Sequence, residues 1–172
     1  MAVRHLAALA TMMVCAQGAA ALNLTSPQIA PGSSLALAQV YTECGGSNIS
    51  PALNWSGAPE GTKSFAVTLY DPDASGGWWH WIVYNIPATA NGLPEGGPLP
   101  EGARAGKNDF RKSGYGGACP PPGSGAHHYQ FTVWALGAPA IPVDGAEEGA
   151  IIGPYLTTYA LAHATLTAVY ER

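Results

Sequence analysis

The chain has 172 residues, of which 47% are apolar and only 10% are charged, and its formal net charge is −4. Together with 22 glycines and 15 prolines, this composition favours a turn-rich β protein and argues against a disordered chain or a helical bundle. No basic stripe is present to meet phosphates, so we predict no nucleic-acid partner.

The first residues are typical of a secretory signal peptide. Arg4 precedes a short apolar run over residues 6–16, and three consecutive small residues end at Ala21. We therefore expect a signal peptide over residues 1–21, a single domain over residues 22–172 and a periplasmic or secreted location. No segment approaches the ~20 apolar residues of a membrane helix, so no membrane span is predicted.

Cysteine usage suits an exported protein. Cys15 lies in the predicted signal peptide, and a lipid anchor there is disfavoured because no small residue precedes it closely. The two remaining cysteines, Cys44 and Cys119, each lie in a Gly-rich segment. Cysteines in an oxidising compartment tend to pair, so we expect a disulfide, the alternative being two separate buried thiols.

The later elements follow from residue patterning in chain order. The connections over residues 88–106 and 113–126 are rich in Gly and Pro and predict surface loops. A short helix is expected over residues 149–160, with Pro154 either kinking it or lying in its first turn. Several short strands separated by turns indicate a mainly β, antiparallel sandwich; they are predicted over residues 34–39, 64–70, 78–86, 129–136 and 162–170.

Asp71 is the first candidate site residue. Counting by twos from Phe65 places it on the same side of its strand as Val67 and Leu69, which face the core. A carboxylate in that position must find partners, because an unpaired buried charge is very costly. The alternative is that Asp71 and Asp73 only cap a turn, as Asp-Pro sequences often do.

His80 is the second candidate, in the aromatic segment Trp78-Trp79-His80-Trp81. Strand alternation predicts that it shares a face with Trp78, Ile82 and Tyr84. A histidine in such a strand is more often a satisfied core residue than a site.

The third candidate region is the Gly/Pro-rich loop before His127. Its glycines allow several backbone N–H groups to converge on one anion, and its prolines keep the loop stiff. His127 and Tyr129 are two residues apart in a strand and therefore share a face, whereas His128 points to the other side. The alternative is an ordinary surface loop ending in an exposed His-His pair.

Taken jointly, these motifs resemble the phosphatidylethanolamine-binding protein family, and in particular its bacterial Raf-kinase-inhibitor-like branch. The resemblance covers residues 24–170. It is carried by residues 48–55 and 61–65, Asp71-Pro72-Asp73-Ala74, residues 78–87, Cys119-Pro120-Pro121 and His127-His128-Tyr129.

The resemblance implies a Greek-key β-sandwich with a surface pocket for phosphate-like anions. We predict no cofactor, no metal and no catalytic residue, because the sequence has no Gly-x-Ser-x-Gly elbow and Cys119 is expected to be oxidised. Three positions depart from the family pattern, since Ser75 and Ala118 replace prolines and His128 stands where many relatives carry arginine. The implied ligand-binding residues are Asp71, His80, His127, Tyr129, Cys119, Pro120 and Trp78.

Three function classes follow. The first is an exported, non-catalytic binding module for a phosphorylated small molecule, a lipid headgroup or a phosphorylated protein segment, with a homodimer left open. The second is a secreted inhibitor or effector acting on a protein partner. The third is a metal-dependent enzyme in which Asp71 and the histidines hold the ion and Asp73 acts as base.

Overall fold

Residues 21–172 are described by the structure, a computed structural model, so the predicted signal peptide lies outside the described residues except for Ala21. Two 3-10 turns lie at Leu37–Gln39 and Thr42–Cys44. The strands and the helix are β1 (Asn23–Thr25), β2 (Leu53–Ser56), β3 (Ser64–Asp71), β4 (Trp78–Pro87), β5 (Gly92–Leu93), β6 (Arg104–Ala105), β7 (His127–Leu136), α1 (Gly149–Tyr159) and β8 (Ala160–Tyr170).

The strands form two antiparallel sheets, a small one in the order β1-β2-β5 and a large one in the order β6-β4-β3-β7-β8. One apolar core lies between them, because Leu53 and Trp55 of the small sheet join Val67 and Phe131 of the large sheet in one cluster. The predicted mainly β, antiparallel sandwich with a short C-terminal helix is therefore confirmed.

The other face of the large sheet is covered by α1. Ile152 and Leu156 of the helix form a second buried cluster with Ala66 and Ile82 of the sheet. Both faces of β3 are thus covered, and seven of its eight residues are buried. Pro154 lies inside α1 rather than in its first turn.

One predicted strand, over residues 34–39, is wrong. Ser34 makes only an isolated parallel bridge to Val169, and the chain then enters the turn Leu37–Gln39. The reason is that the neighbouring loop takes the backbone bonds: the carbonyl of Leu37 accepts the N–H of Ser47 at 2.9 Å. Alternating apolar residues over so short a segment do not require a sheet partner.

Four short strands fall outside the predicted set. The strands β1, β2, β5 and β6 have two to four residues each, and β5 and β6 lie within the predicted loop over residues 88–106. Segments of this length carry too few residues for alternation to be visible. The strands β1, β2 and β5 form the small sheet that closes the core opposite β3, whereas β6 pairs with β4 at the edge of the large sheet.

Candidate functional site

A cavity of about 480 Å³ opens where β3 ends and where β4 and β7 begin. Because β3 is antiparallel to both neighbours, these three strand ends meet at one edge of the large sheet. All seven predicted ligand-binding residues line this cavity. The full lining is Asp71, Asp73, Ala74, Ser75, Trp78, His80, Phe110, Cys119, Pro120, Pro121, Ser124, His127 and Tyr129.

Asp71 is the buried anchor of the cavity, with 2% of its surface exposed. Its Oδ1 accepts the N–H groups of Asp73 at 2.9 Å and Ala74 at 3.2 Å, and its Oδ2 lies 2.7 Å from Nδ1 of His127. The carboxylate therefore does both things that the sequence offered as alternatives: it caps the Asp-Pro-Asp-Ala turn, and it faces the cavity.

His127 continues a chain of hydrogen bonds to Ser124. The Ser124 hydroxyl lies 2.8 Å from the Pro121 carbonyl and 3.1 Å from Nε2 of His127. The carbonyl can only accept, so the single hydroxyl proton is assigned to it, and Nε2 of His127 is then the donor to Ser124. Since the Nδ1–H of His127 donates to Asp71, this pattern suits a doubly protonated, positively charged imidazole.

His80 reaches the cavity through a β-bulge that the sequence did not reveal. Leu69 pairs with Trp81 while Tyr70 pairs with Trp79, so His80 is the extra residue between them. Regular alternation predicted that His80 shares a face with Ile82 and Tyr84, and in the structure that face is covered by α1. The bulge instead turns the imidazole towards the opposite side, where its ring meets Tyr129 edge-on at 5.2 Å.

The protonation state of His80 follows from its hydrogen bond and its burial. Its Nδ1 lies 2.9 Å from the carbonyl of Gly116 and must donate to it. Burial lowers the pKa of this imidazole from 6.5 to about 4, although the Gly116 carbonyl and the nearby Asp71 favour the charged form. His80 is therefore neutral near pH 7, with a proton on Nδ1.

Two buried donors in the cavity wall have no acceptor among the described residues: the hydroxyl of Tyr129 and the indole N–H of Trp78. Burial raises the pKa of Tyr129, and the charge of Asp71 adds to the shift, while the N–H of Cys119 opposes it. The hydroxyl thus keeps its proton. Buried polar groups are nearly always hydrogen-bonded, so each of these two donors requires an acceptor that the described residues do not supply.

The loop that closes the cavity is held by the predicted disulfide between Cys44 and Cys119, whose Cα atoms are 5.6 Å apart. This excludes two separate thiols. From the opposite side, Nε of Arg172 donates to the Pro120 carbonyl at 3.1 Å. Both predicted loop residues, Cys119 and Pro120, therefore have defined positions in the wall.

Six lining residues were not among the predicted ligand-binding residues: Asp73, Ala74, Ser75, Phe110, Pro121 and Ser124. Four of them lie in or beside the family motifs, whereas Ser124 and Phe110 do not. Ser124 is three residues before His127 in a flexible-looking loop, and nothing in that spacing distinguishes it. Phe110 lies in a loop that is attached to β4, since Asp109 accepts the N–H of Trp79 at 2.7 Å. An isolated aromatic residue in a polar loop is the signal that could have indicated it.

Comparison with known proteins identifies the fold and the family. A family model for the phosphatidylethanolamine-binding protein matches residues 25–171. The chain belongs to this family, abbreviated PEBP. The UPF0098 protein YbcL of Escherichia coli (strain K12) is 53% identical to this PEBP over 163 residues, which cover 89% of each chain. The crystal structure of YbcL, a member of the mammalian PEBP family, superposes with a TM-score of 0.85 and 52% identity over 89% of this chain and 99% of YbcL.

Two further relatives extend the comparison. The UPF0098 protein YbhB of the same E. coli strain is 43% identical and covers 87% of this PEBP and 100% of YbhB. A putative lipoprotein of Mycobacterium tuberculosis (strain ATCC 25618 / H37Rv), LppC, is 40% identical over 70% of this chain and 58% of LppC. The resemblance noted in the sequence motifs is therefore confirmed.

The departures of this PEBP from the family motifs have structural counterparts. The N–H of Ala118 donates to the Gln39 carbonyl at 3.3 Å, a bond that a proline at this position could not make. His128 pairs with Asp73 at the surface, through its Nδ1 at 2.8 Å and its backbone N–H at 2.6 Å. These contacts lower the pKa of Asp73. Ser75 lies at the exposed rim of the cavity.

Two further findings apply to residues 21–172. No helix in this part of the chain is long and apolar enough to cross a membrane. In the same residues, no three His, Cys, Asp or Glu side chains form a group suited to a metal ion.

Proposed function

We propose that this PEBP is an exported, non-catalytic binding protein whose cavity holds a phosphate-like oxyanion. The observation that carries the proposal is the pair of buried, unpaired donors, Tyr129 Oη–H and Trp78 Nε1–H, in the wall of one cavity. An oxyanion supplies two or more acceptor oxygens, and it would satisfy both donors at once.

Electrostatics support the same ligand class. The imidazolium form of His127 places a positive charge in the wall, beside Asp71, which holds it. Both of its N–H groups are already engaged, with Asp71 and with Ser124, so the imidazolium would act on an anion through its charge and not as a hydrogen-bond donor. His80 contributes shape and not charge, because its lowered pKa keeps it neutral.

The proposal is tested by calorimetric titration with benzenesulfonate, an anion whose single charge does not change with pH in the working range. Wild-type protein should bind it, and Tyr129→Phe should weaken binding by roughly tenfold, the value of one hydrogen bond to a charged group. Tyr155→Phe, which removes a hydroxyl from α1 on the far side of the large sheet, is the matched control and should bind like wild type. No binding to the wild type, or equal binding by all three proteins, would refute the proposal.

A second candidate function has one specific observation in its favour. Asp71, His127 and Ser124 are hydrogen-bonded in the order found in serine hydrolases. Against it, the Ser124 proton is directed at Pro121, so His127 is not free to act as the base. Hydrolysis of 4-nitrophenyl acetate decides between the two: a rate that falls at least tenfold in Ser124→Ala would establish a hydrolase, whereas we expect equal background rates.

Export is supported by the disulfide and by the lipoprotein name of the relative LppC. The expectation is that the full-length chain, expressed in a bacterium with its N-terminal segment, appears in the periplasm or the medium. Mass spectrometry of the exported protein should give a mass for residues 22–172 with two cysteines oxidised. A cytosolic product that keeps residues 1–21 would contradict this part of the proposal.

A further inference from the structure

The charges around the cavity are unusual for a site that binds phosphate groups. Its lining contains two carboxylates, Asp71 and Asp73, and no lysine or arginine from the described residues. Asp71 is balanced by His127, with which it forms a buried pair. Asp73 is paired only with the exposed His128, where water screens the interaction. With His80 neutral, the walls carry no excess of positive charge.

Two cationic side chains have defined hydrogen bonds beside the cavity. Nε of Arg172 donates to the carbonyl of Pro120, and Nζ of Lys112 donates to the hydroxyl of Tyr41 at 2.9 Å. Neither side chain lines the cavity. A ligand with two negative charges would therefore meet one positive charge, already paired with Asp71, and the surplus negative charge of Asp73.

The remaining wall is suited to an apolar substituent. Trp78 and Phe110 meet edge-on with ring centres 5.3 Å apart, and Pro120 and Pro121 also line the cavity. The cavity volume of about 480 Å³ falls in the range of sites for small organic ligands, well beyond the needs of an inorganic ion. The two unpaired donors are neutral, and they match the oxygens of one singly charged group.

We propose that the cavity selects a singly charged oxyanion attached to an aryl or alkyl group, such as a phosphodiester or a sulfonate, and discriminates against dianions such as phosphomonoesters at neutral pH. The inference rests on the proposed anion-binding function and adds the charge and the apolar part of the ligand. The preference for one charge arises because the site offers two neutral donors and an imidazolium whose charge is already balanced by Asp71, and no free cation to balance a second ligand charge.

The test compares phenyl phosphate with methyl phenyl phosphate by calorimetric titration of the intact exported protein. The diester carries one charge throughout, whereas the monoester carries nearly two at pH 8 and one at pH 5, because its second pKa is about 6. We expect the diester to bind about tenfold more tightly at pH 8, the effect of one unit charge near an uncompensated carboxylate. At pH 5 the ratio should approach one, since protonation of the protein affects both ligands alike.

A variant and a second ligand pair separate the parts of the inference. Asp73→Asn removes the surplus negative charge and should tighten binding of both ligands, phenyl phosphate more than the diester, so the affinity ratio at pH 8 should narrow. Benzenesulfonate should bind more tightly than methanesulfonate because of its ring. If phenyl phosphate bound as tightly as methyl phenyl phosphate at pH 8, or more tightly, the proposed preference for one charge would be overturned. If the two sulfonates bound equally, the apolar requirement would be overturned. Either result would leave the proposed function intact. If none of the four anions bound, the proposed function itself would fall.

Discussion

The two Asp–His pairs at the cavity offer a matched test of what burial does to an ion pair. Asp71–His127 and Asp73–His128 have N···O distances of 2.7 and 2.8 Å, but their side chains are 3% and 7% exposed in the first pair and 40% and 53% in the second. The perturbation is the isosteric change Asp71→Asn, with Asp73→Asn as its control. Removing one partner of a buried pair costs about 3–5 kcal/mol, whereas an exposed pair contributes about 0–1 kcal/mol.

We expect Asp71→Asn to lower the free energy of unfolding by about 3–5 kcal/mol, because the buried imidazole of His127 loses its carboxylate partner. Asp73→Asn should cost less than about 1 kcal/mol, since its partner is solvated. Urea denaturation at pH 7 measures both free energies of unfolding, and an unchanged m-value would indicate that the unfolded state is unaffected. Equal losses in the two variants would refute the reasoning that burial decides the contribution of each pair.

Three further predictions concern stability. The folded pKa of His80, about 4, lies below its unfolded value of 6.5, so its contribution to stability is fully present above pH 6.5 and is lost towards pH 4. Urea denaturation should give a free energy of unfolding about 3 kcal/mol lower at pH 4 than at pH 7, and His80→Asn should remove this difference. The disulfide spans 75 residues, so changing Cys44 and Cys119 to serine should lower the free energy of unfolding by about 4 kcal/mol, and the variant should be as stable as the reduced wild-type protein. A loss below about 1 kcal/mol would contradict the chain-entropy account. Gly117→Ala places a Cβ against the backbone of residues 39–41 and should lower the free energy of unfolding by about 3 kcal/mol or prevent folding. Gly153→Ala meets only the ring of Trp79, at 3.3 Å, and should leave the thermal melt nearly unchanged.

Strand alternation predicted the placement of three of the candidate site residues. Asp71 follows Val67 and Leu69 at intervals of two, and His127 and Tyr129 share a face, so a regular pleat was sufficient to bring their side chains to one side of the sheet. These residues lie on unbroken parts of β3 and β7. Their roles in ligand binding remain predictions.

His80 and Ser124 show where such reasoning stops. The bulge opposite Tyr70 reverses the expected face of His80, and no residue of Trp78-Trp79-His80-Trp81 signals where the extra residue will lie. Ser124 is brought to His127 by a loop whose path depends on the disulfide and on Arg172. Both contacts depend on partners distant in sequence, which local patterning cannot supply.

The central claim is that a ligand oxyanion supplies the acceptors missing from Tyr129 and Trp78. A crystal structure of the protein with benzenesulfonate tests it most directly. We predict one sulfonate oxygen within about 3 Å of Tyr129 Oη, another within about 3 Å of Trp78 Nε1, and the ring against Phe110. A cavity without ligand at saturating benzenesulfonate, or a sulfonate bound away from both donors, would contradict the account.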